Sequence, residues 1–70
     1  MSDVYTLYRI MRDGVGAHVG ITADPIRREQ EHKREFGPLA YMVREGWGYS
    51  RRDALAWEAE QRRLGRPTGP

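Results

Sequence analysis

From Asp3 to Met11 the chain passes through Val4, Tyr5, Thr6, Leu7, Tyr8 and Ile10, whose β-branched, aromatic and aliphatic side chains favour an extended strand. Asp13-Gly14 marks a turn, and over Ala17 to Thr22 the apolar Val19 and Ile21 alternate with His18 and Gly20. The pattern predicts a β-hairpin over the first 22 residues. With a loop of two residues (Asp13, Gly14) or four (Asp13 to Gly16), Tyr5 and His18 share a face of the sheet. A three-residue loop separates them, because a slip of one residue moves every side chain to the other face.

Asp24-Pro25 predicts a helix start, with Asp as N-cap and proline at the first helical position, and Gly37-Pro38 ends the helix after Phe36. Ile26 and Phe36 are its only large apolar residues, so caps and charge pairs such as Glu29 with Lys33 carry the prediction. Leu39 to Glu45 reads as a third strand and Gly46-Trp47-Gly48 as an irregular loop. Ser50, with Asp53 three residues on, resembles a capping box for a second helix. Ala54, Trp57, Gln61 and Leu64 recur on one side of it, and Gly65 with Pro67 closes it. The expected fold is α/β (α+β): a small three-stranded antiparallel sheet flanked by helices, in the order β-β-α-β-α. Arg66 to Pro70 reads as a loose tail.

At 70 residues this is one domain, and a domain near this size buries only ~60% of its unfolded surface. There is no cysteine, which excludes disulfide staples and thiolate metal sites. The longest apolar run, Leu39 to Val43, is five residues against the roughly 20 of a membrane helix, and no signal-peptide pattern opens the chain. A cytoplasmic protein with no membrane partner is expected. The net charge is only +2, yet eleven of the twelve basic residues are arginine, whose planar fork suits phosphate. A genome rich in arginine codons explains that composition equally well.

Arg28 and His32 are four apart and project from one helix face, where together they could grip an anion; exposed charge on a solvated helix is the commoner use of such an arginine. Glu58 falls beside Trp57 at the edge of the face that packs on the sheet, where a carboxylate needs a partner, by default an arginine. Tyr5 on a strand is more often a packing aromatic than a base, and the two histidines match no zinc spacing. Gly14, Gly16 and Gly20 precede no helix directly, so a dinucleotide-binding reading is weak.

Taken in order, these residues resemble the GIY-YIG nuclease family. Asp3-Val4-Tyr5 stands where the family has Gly-Ile-Tyr, and His18-Val19-Gly20 where it has Tyr-Ile-Gly. The family arginine lies ten residues beyond the second motif's first position and its His or Tyr fourteen beyond, which here are Arg28 and His32. The segment Ser50 to Glu58 resembles the helix that carries a metal-binding glutamate four residues after an alanine. The resemblance spans residues 3–67 and implies a nuclease domain over residues 1–67, with residues 68–70 as its tail. This sequence departs from the family in having His18 for tyrosine and Thr68 where an asparagine is expected after the C-terminal proline.

The resemblance implies an endonuclease that hydrolyses phosphodiester bonds of nucleic acid, DNA ahead of RNA. Tyr5 would act as general base, or relay the water's proton, beside His32 and His18; Arg28 would bind the scissile phosphate, and Glu58 would hold one Mg²⁺ or Mn²⁺ ion. Arg27, Arg51 and Arg52 would contact flanking phosphates. A homodimer or a targeting protein would supply double-strand cutting or specificity. The alternative is a catalytically impaired nucleic-acid-binding or partner-docking module on the same fold, and a third reading is a small structural protein.

Overall fold

Asp13 and Gly14 both adopt positive φ, 52° and 75°, the backbone of a two-residue hairpin turn whose twist matches the flanking strands. In the computed structural model, which describes residues 4–68, this turn joins β1 (Val4–Arg12) to β2 (Val15–Thr22). Then follow α1 (Pro25–Phe36), β3 (Tyr41–Ser50) and α2 (Arg51–Arg63). The sheet is antiparallel with β1 in the centre, in the order β2-β1-β3, so the α+β fold is the one the sequence predicts.

The two-residue loop does not hold its register. Met11 pairs with Gly16 but Ile10 pairs with His18, leaving Ala17 as an extra residue. The bulge reverses the expected facing: Thr6, Tyr8 and Ile10 share a face with His18, Gly20 and Thr22, while Leu7 and Arg9 share the other with Val19 and Ile21. Tyr5 and His18 therefore do not lie on one face. A loop length alone fixes facing only while pairing stays regular.

One face carries the core of Tyr8, Ile10 and Ala40, with Phe36 and Met42 packed against it. The other buries Leu7 and Val19, with Ala54 and Gln61 the buried residues of α2. Because both faces are covered, β1 reads as a nearly continuous apolar run rather than an alternation. Asp24 caps α1 by accepting the Arg27 N–H at 3.2 Å, and the Glu29 carboxylate accepts the Met42 N–H at 2.9 Å, tying α1 to β3. The one fully buried residue of α1 is His32, whereas Ile26 is exposed.

Two expectations are corrected. Gly46-Trp47-Gly48 is no loop but part of β3, which runs to Ser50; the extra residues form bulges opposite Tyr5 to Tyr8. The glycines serve those bulges: Gly48 has φ of 79°, and a Cβ on Gly46 would lie 2.8 Å from the Tyr49 ring. Nor are Pro67 and Thr68 loose. The Val19 N–H donates to the Pro67 carbonyl at 2.8 Å, Thr68 forms an isolated parallel bridge to Val19, and Arg62 Nε donates to Thr68 Oγ1 at 3.1 Å. This clip covers part of the free edge of β2, an edge that natural sheets protect. Asp3 of the first motif, and Gly69 and Pro70 of the predicted tail, lie outside the described residues. No described helix is long and apolar enough to cross a membrane.

Candidate active site

Two adjoining clefts open beside the Tyr5 end of β1. One, about 380 Å³, is lined by Tyr5, Ile21, Thr22, Asp24, Arg27, Arg28 and Glu31 among others. The second, about 310 Å³, is lined by Tyr5, Ile21, Arg28, Arg51, Leu55, Glu58 and Arg62. Tyr5, Ile21 and Arg28 belong to both. The Asp24-Pro25 cap fixes where α1 begins, and that sets Arg28 in its first turn, its N–H bonded to the Asp24 carbonyl at 3.1 Å. The Arg28 side chain is one-third exposed and ion-paired to Glu31 at 3.4 Å, a contact long enough to leave guanidinium donors for a ligand.

Glu58 comes to the second cleft from α2, whose start is fixed by Ser50 accepting the Asp53 N–H at 3.1 Å. Its side chain is only 13% exposed, and its ion pair with Arg62 is loose at 3.7 Å. The second cleft thus sets one carboxylate against three arginines, Arg28, Arg51 and Arg62. Desolvated carboxylates need cationic or hydrogen-bonding partners, and an oxygen donor of this kind also suits a hard cation.

Tyr8 and His32 form the buried part of an aromatic cluster that His18 and Phe36 complete. Tyr8 is fully buried, and its hydroxyl is 2.9 Å from His32 Nε2. His18 completes the group, with ring centroids 4.6 Å from His32 and 6.2 Å from Tyr8, and Phe36 packs 5.7 Å from His32. The Tyr8 ring lies across its strand partner Gly20: a Cβ there would fall 2.4 Å from the hydroxyl. Only glycine admits the phenol at that point.

Burial pushes the Tyr8 phenol up to about 12; Arg28 draws it down and Glu58 raises it, so the cluster lies within electrostatic reach of the clefts. Burial, then His18, holds His32 below the ordinary histidine value, and it is neutral near pH 7. Between a protonated phenol and a neutral imidazole the 2.9 Å contact runs from the phenol O–H to a bare Nε2 when the ring proton is on Nδ1, and from Nε2–H to the phenol oxygen in the other tautomer. That Nδ1 is buried without a hydrogen-bond partner, and the nearest carboxylate oxygen in an ion-pair contact with it is Glu35 Oε2 at 3.8 Å. An unsatisfied buried polar atom costs roughly 1–3 kcal/mol, so the contact matters.

The structure thus sorts the predicted residues into two groups. Tyr5, Arg28, Arg51 and Glu58 meet at the second cleft, and Arg27 lines the first. His18 and His32 gather on Tyr8 rather than on Tyr5. Arg52 is exposed and lines neither cleft. Tyr8 and Arg62 escaped sequence reasoning. The signal for Tyr8 was present, since Thr6-Leu7-Tyr8 also ends on tyrosine three residues after Tyr5, and lies opposite Gly20 of the second motif.

Among the described residues no three His, Asp or Glu side chains are grouped to hold a metal ion. Glu58 alone offers a carboxylate on the second cleft, a donor compatible with magnesium, which keeps several waters and takes one or two carboxylates plus phosphate oxygens. No protein family, curated protein or solved structure matches the chain, so likeness to known proteins supplies no identity and the chemistry of the two clefts carries the functional reading.

Proposed function

We propose that this protein is a metal-dependent endonuclease that hydrolyses phosphodiester bonds in nucleic acid, DNA ahead of RNA, at the cleft of Tyr5, Arg28, Arg51, Glu58 and Arg62. The observation that carries the reading is the convergence of Arg28 from α1 and Glu58 from α2 on one cleft, backed by the Tyr8–His32 hydrogen bond. Arginine forks recognise phosphate oxygens and stabilise charge that grows on them during displacement. Glu58 would hold Mg²⁺ or Mn²⁺, which when bound supplies positive charge to the phosphate and leaving oxygens.

A phenol that accepts a proton from water must pass its own proton on, and among the described residues Tyr8 is the tyrosine with a histidine nitrogen in hydrogen-bond range, His32 Nε2 at 2.9 Å. The base in this reading is therefore Tyr8 rather than Tyr5. Tyr8 gives its hydroxyl proton to His32 Nε2 as it takes one from the attacking water. Hydroxide bonds to phosphorus, the bond from phosphorus to the 3′ oxygen breaks, and the leaving oxygen is protonated by water. Tyr5 serves as a cleft-wall hydroxyl that orients phosphate or water. Since Tyr8 is sealed in the free protein, this step requires that substrate binding open the cluster to the attacking water.

The alternative, a binding module without catalysis, draws support from that same sealing and from His18 standing in the second motif. Incubating supercoiled plasmid and a branched oligonucleotide with Mg²⁺, Mn²⁺ or EDTA decides between them. Metal-dependent nicking, lost in Arg28→Ala and Glu58→Ala, supports the nuclease. A folded parent that shifts DNA on a gel without cutting it supports the module. Tyr8→Phe should cost about 10²-fold or more in rate and Tyr5→Phe less; the opposite ranking returns the base to Tyr5.

A further inference from the structure

We infer that Glu35 is a positioning residue for this site, completing a Tyr8–His32–Glu35 relay by holding the His32 ring in the tautomer protonated at Nδ1. The inference rests on the proposed nuclease reading for its consequence in catalysis, but not for its geometry. His32 and Glu35 are three apart on α1 and so project from the same side of it. The His32 side chain is 4% exposed, its Nδ1 has no hydrogen-bond partner, and Glu35 Oε2 lies 3.8 Å away. A small side-chain rotation brings that oxygen into hydrogen-bond range, and Glu35 is free to make it because its side chain is 66% exposed.

The groups facing His32 from each packed element leave Glu35 as its natural acceptor. From β1 comes the Tyr8 hydroxyl, on the opposite ring nitrogen; from β2 the His18 ring, tilted at 42° with its centroid 4.6 Å away; from α1 Arg28, a cation that cannot accept, and Glu31, paired to Arg28. An imidazole that must receive a proton at Nε2 needs its other proton held at Nδ1, and a carboxylate there both fixes the tautomer and stabilises the imidazolium that forms. Free imidazole side chains favour the other tautomer, so holding the proton at Nδ1 requires a partner such as Glu35.

The test is the ¹⁵N spectrum of the histidine rings at neutral pH, with cleavage measured in parallel. In the parent, His32 should be protonated at Nδ1 and bare at Nε2. Tyr8→Phe removes the phenol and should leave that tautomer in place, whereas Tyr8→Phe combined with Glu35→Ala should shift it to Nε2–H. In cleavage, Glu35→Ala should lower kcat roughly tenfold or more with KM unchanged, and Glu35→Gln should lose less, because its amide oxygen still accepts from Nδ1. The inference is overturned if Tyr8→Phe alone flips the tautomer, if the double variant keeps it, or if an active parent loses nothing on Glu35→Ala. A parent that cuts no substrate but whose tautomer depends on Glu35 sinks the nuclease reading and leaves the Glu35–His32 coupling standing.

Discussion

Tyr8 concentrates the residue-scale consequences. Its phenol, ordinarily near 10, is held at about 12 by burial, so the folded protein keeps the proton longer than the unfolded chain does. The sign follows: Tyr8 contributes no pH-dependent change below pH 10, and stability is lost as pH rises from 10 to about 12, by roughly 2–3 kcal/mol in total. Denaturation midpoints of the parent should fall across that window, and those of Tyr8→Phe should fall by correspondingly less. His32 works at the other end. Its lowered value means the unfolded chain binds protons more readily, so stability is full above pH 6.5 and declines as acid drives pH toward the folded value. At Gly20 the same phenol sets a steric test: Gly20→Ala places a methyl 2.4 Å from the Tyr8 hydroxyl. Urea unfolding should show a loss of about 1–3 kcal/mol, only partly relieved in Gly20→Ala/Tyr8→Phe, because the ring carbon Cζ still lies 2.6 Å from the new methyl.

At the scale of elements, the clip from Pro67 and Thr68 onto β2 is the most exposed part of the fold to experiment. Ending the chain after Arg66 removes the Val19 N–H bond to Pro67 and the Arg62 bond to Thr68. The expected cost is about 0.5–1.5 kcal/mol per hydrogen bond, with the Val19 amide exchanging faster than its neighbours in β2. Unchanged protection at Val19 would show that the clip does not hold the strand. This clip was not legible in the sequence, because a Pro-rich end gives no local sign of the strand it pairs with. The helix starts were legible, since Asp24 and Ser50 act on backbone within three residues of themselves. The extent of β3 was not: Gly46 and Gly48 look like breakers until Tyr49 is seen lying over one and the bulge bending at the other. The site divides the same way. Arg28, Glu58 and Tyr5 were brought together by the family resemblance rather than by periodicity, whereas Tyr8 depended on the facing of β1 against β2, which a single bulge at Ala17 inverted.

For the molecule as a whole, charge is distributed rather than massed: a net +2 over 70 residues, with Arg28, Arg51 and Arg62 drawn around one cleft. Any nucleic acid held there should bind through a few phosphate contacts, each releasing condensed counterions, so affinity should fall linearly in log–log form as salt rises. Arg51 and Arg52 are adjacent in sequence but not in role, because successive helix positions point about 100° apart and only Arg51 lines the cleft. Removing a true phosphate contact lowers the salt slope by about one, whereas removing a solvated charge changes mainly the weak long-range field. Binding of a fluorescent oligonucleotide in EDTA, titrated over a range of salt, should therefore show a shallower slope and weaker affinity for Arg51→Ala, with Arg52→Ala close to the parent. Equal slopes for both variants would mean that nucleic acid does not occupy this cleft, and the proposed site for hydrolysis would fall with it.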